Sequence, residues 1–507
     1  MTLDTKKVSK NALLLGVRTL VTVLLNLYVS RLLLLNLGET SFGVYNIVGS
    51  IIVVWGSLRG VFASSTQRFL NVASVHTDRD YGKRIFSNSL FIHLIIAILF
   101  LSLVGGVGLY LVNNVLSIPI TEVKSAKIIF IASVLSSTVG VVTTPFDATV
   151  IAHEKMGFYA LTSILDVLGK LVIALCIPYV MVNRLVFWGC TYALIAVLIR
   201  LLVVSFARVK CPEVVFSISK DKAILKEMGQ FAGWNFLGNT SFYIVNEGLN
   251  FILNIFWGVA LNAARGVAMQ VHSGVTSFTS NIMTASDPQI CKLYAEGQSE
   301  AMMKLVSLSS RSLSLLYILV SAPIIISIKP ILVLWLREVP PYTEEMIILL
   351  LIHGFLRTFH SPLNSLFFAT AKLKAFQLTE IIVRTSTLIL AYLIAKLAQV
   401  PPYSVFIVLC GVEFANIVLV VLVARSVMSL NITFYLKEIV VPILKVLVIL
   451  GILFSSIWLF KVNYEVHWIV LSLLILLLTG IVSLLFGYKK SEQRTLASHL
   501  KSKLYWK

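Results

Sequence analysis

Residues 11–71 read NALLLGVRTLVTVLLNLYVSRLLLLNLG (11–38), ETSFG (39–43), VYNIVGSIIVVWGSLRGVFA (44–63) and SSTQRFLN (64–71). Each of the two apolar runs is about 20 residues or longer, enough to cross roughly 30 Å of hydrocarbon as an α-helix. The reading is a transmembrane hairpin that turns at ETSFG. Arg18, Arg31 and Arg59 do not belong in such a hairpin. A cation near the bilayer middle costs at least about 2.5 to 3.5 kcal/mol on insertion scales. Arginines kept at that depth usually face a watery cavity or an anion, which makes the hairpin the first candidate for a substrate site.

The rest of the chain follows the same pattern. With 58% apolar and 13% charged residues in 507, the chain is a polytopic membrane protein and no ordinary soluble one. A net charge of +19 would point a soluble chain towards nucleic acid; here the question is on which side of the membrane the cations lie. Lys6, Lys7 and Lys10 precede an apolar run too long for a cleavable signal, so the first helix is expected to stay as a signal anchor. Cys176, Cys190, Cys211, Cys291 and Cys410 are scattered without a C-x-x-C, and read as buried thiols with no metal site.

Spanning runs recur at roughly 11–35, 42–63, 85–112, 125–151, 158–180, 185–207, 229–256, 258–284, 305–328, 343–370, 375–397, 403–425, 438–461 and 466–488, about fourteen in all. Lys and Arg concentrate in alternate loops, which predicts that both termini are cytoplasmic and the number of spans even. SSTVGVVTTPFDATVIAHEKMGFYALTSILDVLGKLVIA overlies RTFHSPLNSLFFATAKLKAFQLTEIIVRTSTLILA, setting Pro145 on Pro362 at a period of about 217 residues. The expected fold is all-α: two six-helix lobes related by a parallel pseudo-twofold repeat, a cleft between them for substrate, and two further C-terminal helices that hold a lipid tail or a partner. The boundaries read as lobes 1–208 and 229–428, a cytoplasmic linker 209–228, the extra helices 429–488 and a basic tail 489–507 whose Leu496, Leu500 and Leu504 suit a helix lying on the anionic inner leaflet.

YVSRLLLLNLGETSFGVYNIVGSI followed by ASSTQRFL resembles the opening of bacterial polysaccharide and O-antigen flippases, the Wzx-type branch of the multidrug/oligosaccharidyl-lipid/polysaccharide (MOP) exporter superfamily. The shared elements are SR, LG-x-x-x-F/Y-G and T-Q-R-F/Y, and the match is local. The resemblance implies transport of an undecaprenyl-diphosphate-linked oligosaccharide across a bacterial inner membrane, with a polysaccharide polymerase as a partner. In the related lipid II flippases, arginines on the first, second and eighth helices serve the cavity; Arg18, Arg59 and Arg265 occupy those helices here.

The residues themselves offer further candidates. Asn11, Arg18, Thr22 and Asn26 share a helical face. Arg59 either lines a cavity or snorkels, and Arg31 projects nearly opposite Arg18. Arg265 lies among small residues, and Arg357 lies mid-membrane before Pro362, which is expected to break the tenth helix. Asn235, Asn239, Asn246, Asn250 and Asn254 form a stripe with Glu247 beside it: either interhelical hydrogen bonding or a sugar-binding wall with a cation site. Asp166 with Lys170, and Glu380 with Arg384, are i,i+4 pairs that neutralise locally or line a shared cavity. Asp147, Glu413 and Glu247 are candidate carriers of a coupling H⁺ or Na⁺; no other cofactor is expected. Asp78-Arg79-Asp80 reads as a solvated charge run, and no P-loop, H-E-x-x-H or G-x-S-x-G occurs, so the expectation is a transporter and not an enzyme.

The arginines Arg18, Arg59, Arg265, Arg357 and Arg384 outnumber unpaired buried acids, which suits a diphosphate. A cation-coupled multidrug antiporter of the same architecture would favour an acidic pocket. A membrane glycosyltransferase would need a large outer loop, and a scaffold gives no reason for buried arginines.

Overall fold

The structure is a computed structural model. It describes residues 5–493 except 74–78, 154, 215–220, 280–281, 284–285, 287–288, 291–292, 295, 370–372, 398, 429 and 460–463. The side chains at 5–20, 54–62, 64, 68, 71–73, 79, 156, 223, 229–242, 368–369, 373–374, 456–459 and 464–467 are likewise not among those described.

The described elements are helical: α1 (Thr5–Ala73), α2 (Arg79–Asn114), α3 (Ile120–Val142), α4 (Thr144–Ala152), α5 (Met156–Cys176), α6 (Arg184–Lys210), α7 (Lys222–Trp257) and α8 (Val259–Thr279), then α9 (Ser299–Ile326), α10 (Ile328–Leu336), α11 (Thr343–Thr358), α12 (Ser361–Ala369), α13 (Leu373–Leu397), α14 (Ser404–Met428), α15 (Val441–Leu459) and α16 (Tyr464–Gly487). Among the described residues ten helices are long and apolar enough to cross a membrane, eleven if α11 and α12 form one bent span. This establishes a multi-pass membrane protein without fixing the count at fourteen. The expected runs that do not stand as separate spans are the second limb of α1, the partly described α7, and α8, which carries Asn262, Arg265, Gln270 and His272. Large apolar side chains such as Leu99, Leu198, Ile382, Phe414 and Leu477 are exposed, whereas the polar Asn88, Thr149, Asn262 and His360 are buried. That is what hydrocarbon solvent requires, since polar groups find partners only inside the bundle.

The hairpin turns one residue earlier than expected. ETSFG is helical, and the single non-helical residue inside α1 is Gly38, at φ 79° and ψ 167°. Only glycine takes that conformation without strain. Thr22 and Val53 line the same cavity, whereas a straight helix would hold them about 46 Å apart at 1.5 Å per residue. The chain therefore folds back at Gly38. Beyond the turn, Phe42 is fully buried, the Ser41 hydroxyl donates to Glu122 Oε1 at 2.8 Å, and Gly43 meets the main chain of Val259 at the start of α8.

Both prolines of the internal repeat mark broken helices. The run expected as one span at 125–151 is α3 and α4, interrupted at Thr143 (φ −86°, ψ −1°) ahead of Pro145. The counterpart run, expected at 343–370, is α11 and α12, bent by 40° ahead of Pro362. Each proline lacks an N–H and clashes with the preceding turn, so the helix restarts with proline near its first position. Hydroxyls bond back to the turn before the break: Thr143 Oγ1 donates to the Val139 carbonyl at 2.9 Å and Thr144 Oγ1 to that of Gly140 at 2.9 Å.

The chain packs as two compact units, Met1–Gly266 and Val267–Lys507. The division falls at Gly266, and α7, which packs along α1, belongs to the first unit. In the first unit Ile47, Val48, Phe100, Ile129, Phe130 and Val259 form the core. In the second, Leu315, Ile318, Leu363, Phe367, Val420, Ile443, Leu450 and Val482 form one cluster. Residues of α15 and α16 thus belong to that core. The end of α16 is fastened further by Arg311 of α9, fully buried and held by both oxygens of Glu492 at 2.6 and 3.0 Å.

Candidate functional site

The first unit encloses a cavity of about 870 Å³ walled by α1, α3, α4, α5 and α6. Its lining is rich in hydroxyls, with Ser133, Ser136 and Ser137 on α3, Thr144 on α4, and Tyr159, Thr162 and Ser163 on α5, joined by Thr22 and Asn26 of α1. Tyr45 and Tyr192 bring aromatic rings to the wall and both pack on the buried Trp188, with centroids 5.8 Å away in each case. Among the described residues four charges face the cavity, and they cancel. Arg200 Nη1 lies 2.6 Å from Asp147 Oδ2, and Lys170 Nζ lies 2.8 Å from Asp166 Oδ2. Lys170 also stands 4.8 Å from the centroid of the Tyr192 ring, a cation–π contact.

Beside this cavity, α7 and α8 are joined by amides. Asn250 donates to Ser50 Oγ; Asn262 donates to Asn250 Oδ1 at 2.8 Å, Asn254 to Asn262 Oδ1 at 2.8 Å, and the Ser117 N–H to Asn254 Oδ1 at 2.9 Å. Arg265, buried, donates to the Asn246 carbonyl at 2.5 Å and has Glu247 Oε2 at 3.7 Å. Here the structure favours interhelical bonding over a sugar-binding wall: Asn250 and Asn254 spend their amides on protein partners and are buried.

The second unit holds a separate polar cluster. Glu413 of α14 receives His360 Nε2 at 2.6 Å and His353 Nε2 of α11 at 3.4 Å. Asn416 donates to Glu413 Oε1 at 3.4 Å and to Glu380 Oε1 at 2.9 Å, and Glu380 in turn holds Arg384 at 2.5 Å.

The candidate residues therefore fall into distinct environments. Arg18, Arg59, Asn11, Asn235 and Asn239 have side chains outside the described residues, as does the tail with Leu496, Leu500 and Leu504. Arg31 is half-buried and does not line the first-unit cavity. Asp147 and Glu413 are not lone acids: one meets Arg200 and the other two histidines, because an isolated carboxylate in hydrocarbon would be prohibitively desolvated. For the same reason Arg265 and Arg384 are neutralised by Glu247 and Glu380, so neither is part of an unpaired cationic surplus. The i,i+4 pairs at 166/170 and 380/384 form as expected, and the first also lines the cavity. Sequence reasoning misses Arg200, His353 and Asn416. Of these, Arg200 carries the same signal as Arg31, a cation inside an apolar run.

No family profile matches the sequence, and no curated protein matches it. Solved structures do match. An inward-facing multidrug resistance MATE family transporter of the MOP superfamily superposes with TM-score 0.70 at 15% identity, covering 80% of this chain and 94% of that one. The lipid II flippase MurJ, in an inward closed conformation, superposes with TM-score 0.69 at 14% identity, covering 92% of this chain and 98% of that one. A MOP superfamily transporter from Pyrococcus furiosus, noted for the reverse polarity of its binding pocket, gives TM-score 0.60 at 16% identity, covering 83% and 96%. The fold of this chain is thus the one seen in MOP superfamily transporters; at these identities the likeness concerns fold alone.

Proposed function

We propose that this protein is a flippase that moves an undecaprenyl-diphosphate-linked oligosaccharide, an O-antigen, capsule or exopolysaccharide repeat unit, from the cytoplasmic to the outer face of a bacterial inner membrane by ion-coupled alternating access. The observation that carries the reading is the described wall of the first-unit cavity: many hydroxyls, two aromatic rings, and, among the described residues, acids and bases in pairs. Such a wall suits a neutral polyol, whose hydroxyls need both donors and acceptors and whose C–H faces pack on aromatic rings. A cationic drug would be better served by unpaired acids. The diphosphate is assigned to Arg18 and Arg59 of α1, which carry the guanidinium groups such a group prefers. Fold coverage gives further support. The lipid II flippase covers 92% of the chain against 80% for the multidrug transporter; 12% of 507 residues is about 61, the length of two spanning helices.

In this reading both termini are cytoplasmic, and a polysaccharide polymerase takes the product on the outer face. The second reading, a cation-coupled multidrug antiporter, draws on the equally high TM-score to a MATE transporter. The test is reconstitution into proteoliposomes with a labelled lipid-diphosphate oligosaccharide, comparing wild type with Arg18→Ala, Arg59→Ala and Arg265→Ala. The flippase reading expects translocation by wild type and its loss in the α1 variants. Drug efflux without lipid translocation would transfer the function to the antiporter.

A further inference from the structure

We propose that His353 and His360, held on the carboxylate of Glu413, form the proton-carrying site of this transporter, so that the coupling ion is H⁺. The inference rests on the ion-coupled transporter reading above and supplies the ion that reading leaves open.

Both imidazoles present Nε2 to the same carboxylate, His360 at 2.6 Å and His353 at 3.4 Å. Their other ring nitrogens, His353 Nδ1 and His360 Nδ1, are buried and have no hydrogen-bond partner among the described residues. A neutral imidazole that donates from Nε2 carries a lone pair on Nδ1, so the cluster holds two vacant basic positions in a place where unused hydrogen-bonding capacity is costly. The proton step is simple: an N–H bond forms between an incoming proton and one Nδ1 lone pair, the imidazolium is stabilised by Glu413, and release returns the proton to water from the same nitrogen.

A sodium ion fits this cluster poorly. Hard cations require several oxygen ligands, yet both Glu413 oxygens already face nitrogen donors, and Asn416 presents its amide nitrogen to Glu413 and Glu380. The surrounding helices supply His272 on α8, Tyr317 on α9, Arg357 on α11, Glu380 and Arg384 on α13, and Cys410 on α14, whose thiol donates to the Leu349 carbonyl at 3.3 Å. With neutral imidazoles, Glu413 offsets Arg357 and Glu380 offsets Arg384. One added proton gives the cluster a net positive charge, so protonation changes what the site attracts. The cluster also sits at a mechanical joint. His360 lies in the break between α11 and α12, which meet at 40°, and its bond to Glu413 ties that break to α14. Charging the imidazole strengthens this tie, which gives protonation a direct hold on a bent helix.

The test uses the purified full-length protein in two assays. The first measures gradient-driven over gradient-free translocation of the labelled lipid-diphosphate oligosaccharide in proteoliposomes, for wild type, His353→Gln, His360→Gln, Glu413→Gln and the exposed control Glu300→Gln. A proton gradient should raise the steady-state accumulation behind this ratio, by at most roughly tenfold per pH unit for one proton per cycle, and a sodium gradient should not raise it. The three cluster variants should bring it to about one; thermal unfolding identifies any variant that fails to fold, and His353→Gln, at the partly buried edge of the cluster, is the fallback. The second assay counts protons taken up by detergent-solubilised protein between pH 8 and 5, where the double variant His353→Gln/His360→Gln should bind about one fewer than wild type. A folded cluster variant that keeps the full proton response, a wild type driven by sodium, or equal proton uptake in the double variant would overturn the proposal. If wild type moves no lipid-linked oligosaccharide at all, the transport reading has failed, and the uptake difference still decides the cluster.

Discussion

Gly43 lies so close to Val259 that a Cβ at position 43 would stand 2.0 Å from the Val259 carbonyl oxygen. The obstacle is main chain, which cannot swing aside as a side chain can. Small residues permit such backbone contact between membrane helices. Gly43→Val should therefore destabilise by about 3 kcal/mol or more, at or beyond the upper end of overpacking penalties. Thermal unfolding in detergent will show this as a lowered midpoint or loss of monodisperse protein; a variant with wild-type stability would mean the helices are not in contact here.

Gly38 acts through conformation and not through space, since a Cβ added there would meet nothing within 4 Å. Its φ of 79° and ψ of 167° make Gly38→Ala about 1 to 3 kcal/mol unfavourable. Asn, whose tolerance of positive φ is confined to ψ near that of a left-handed helix, should lose about as much. Lowered thermal midpoints in both variants are the check, and midpoints equal to wild type would show that the turn has no need of glycine.

Arg265 and Glu247 are both buried and 3.7 Å apart. Arg265→Ala alone leaves a buried carboxylate without its cation, which should reduce stability by about 3 to 5 kcal/mol. Replacing both at once, as Arg265→Met with Glu247→Leu, should restore much of that loss. A double variant no more stable than the single would show that the pair is not acting as a unit.

Asp147 and Arg200 face the first-unit cavity from different helices. Arg200→Ala or Asp147→Asn leaves the cavity with a net charge and should reduce translocation of a neutral oligosaccharide head group by roughly tenfold, on the scale of about 1.4 kcal/mol. The exchange Asp147→Arg with Arg200→Asp keeps the charge at zero and should recover part of the rate. Transport that is insensitive to all three would take this pair out of the substrate path.

Cys211, just beyond α6, is buried, and burial, aided by Glu213, pushes its thiol up to about 11 from the usual 9.0. A shift of about two units leaves roughly one hundredth of the ordinary thiolate at pH 8. Alkylation of Cys211 in the folded protein should accordingly be slow at pH 8, quicken as pH rises towards 11, and become fast at pH 8 after unfolding. Mass spectrometry of tryptic peptides reads this directly, and rapid labelling of folded protein would contradict the burial.

How far the residues announce this architecture differs from place to place. The apolar runs mark helices because hydrocarbon leaves a backbone few alternatives. The turn itself is easily misjudged: a polar pentapeptide between apolar runs suggests a loop, yet one glycine suffices to reverse the chain. The break at Thr143 is latent in the repeat, since Pro145 overlies Pro362, although only the second proline stands out as a breaker in the linear pattern. Charge pairing is harder to read. Asp166 and Lys170 share a helix and are visible at i,i+4, whereas Asp147 with Arg200, and Glu413 with His353 and His360, come from helices whose packing no local spacing encodes.

Whether a lipid-linked oligosaccharide crosses the membrane through this protein is decided most directly by one rate: how fast a fluorescent undecaprenyl-diphosphate oligosaccharide in the inner leaflet of proteoliposomes becomes accessible to a membrane-impermeant quencher outside. The expected exposure depends on the protein, is faster than in protein-free vesicles, and is competed by unlabelled lipid-linked oligosaccharide but not by cationic drugs. Exposure equal to that of empty vesicles, alongside efflux of a cationic drug by the same preparation, would contradict the flippase reading.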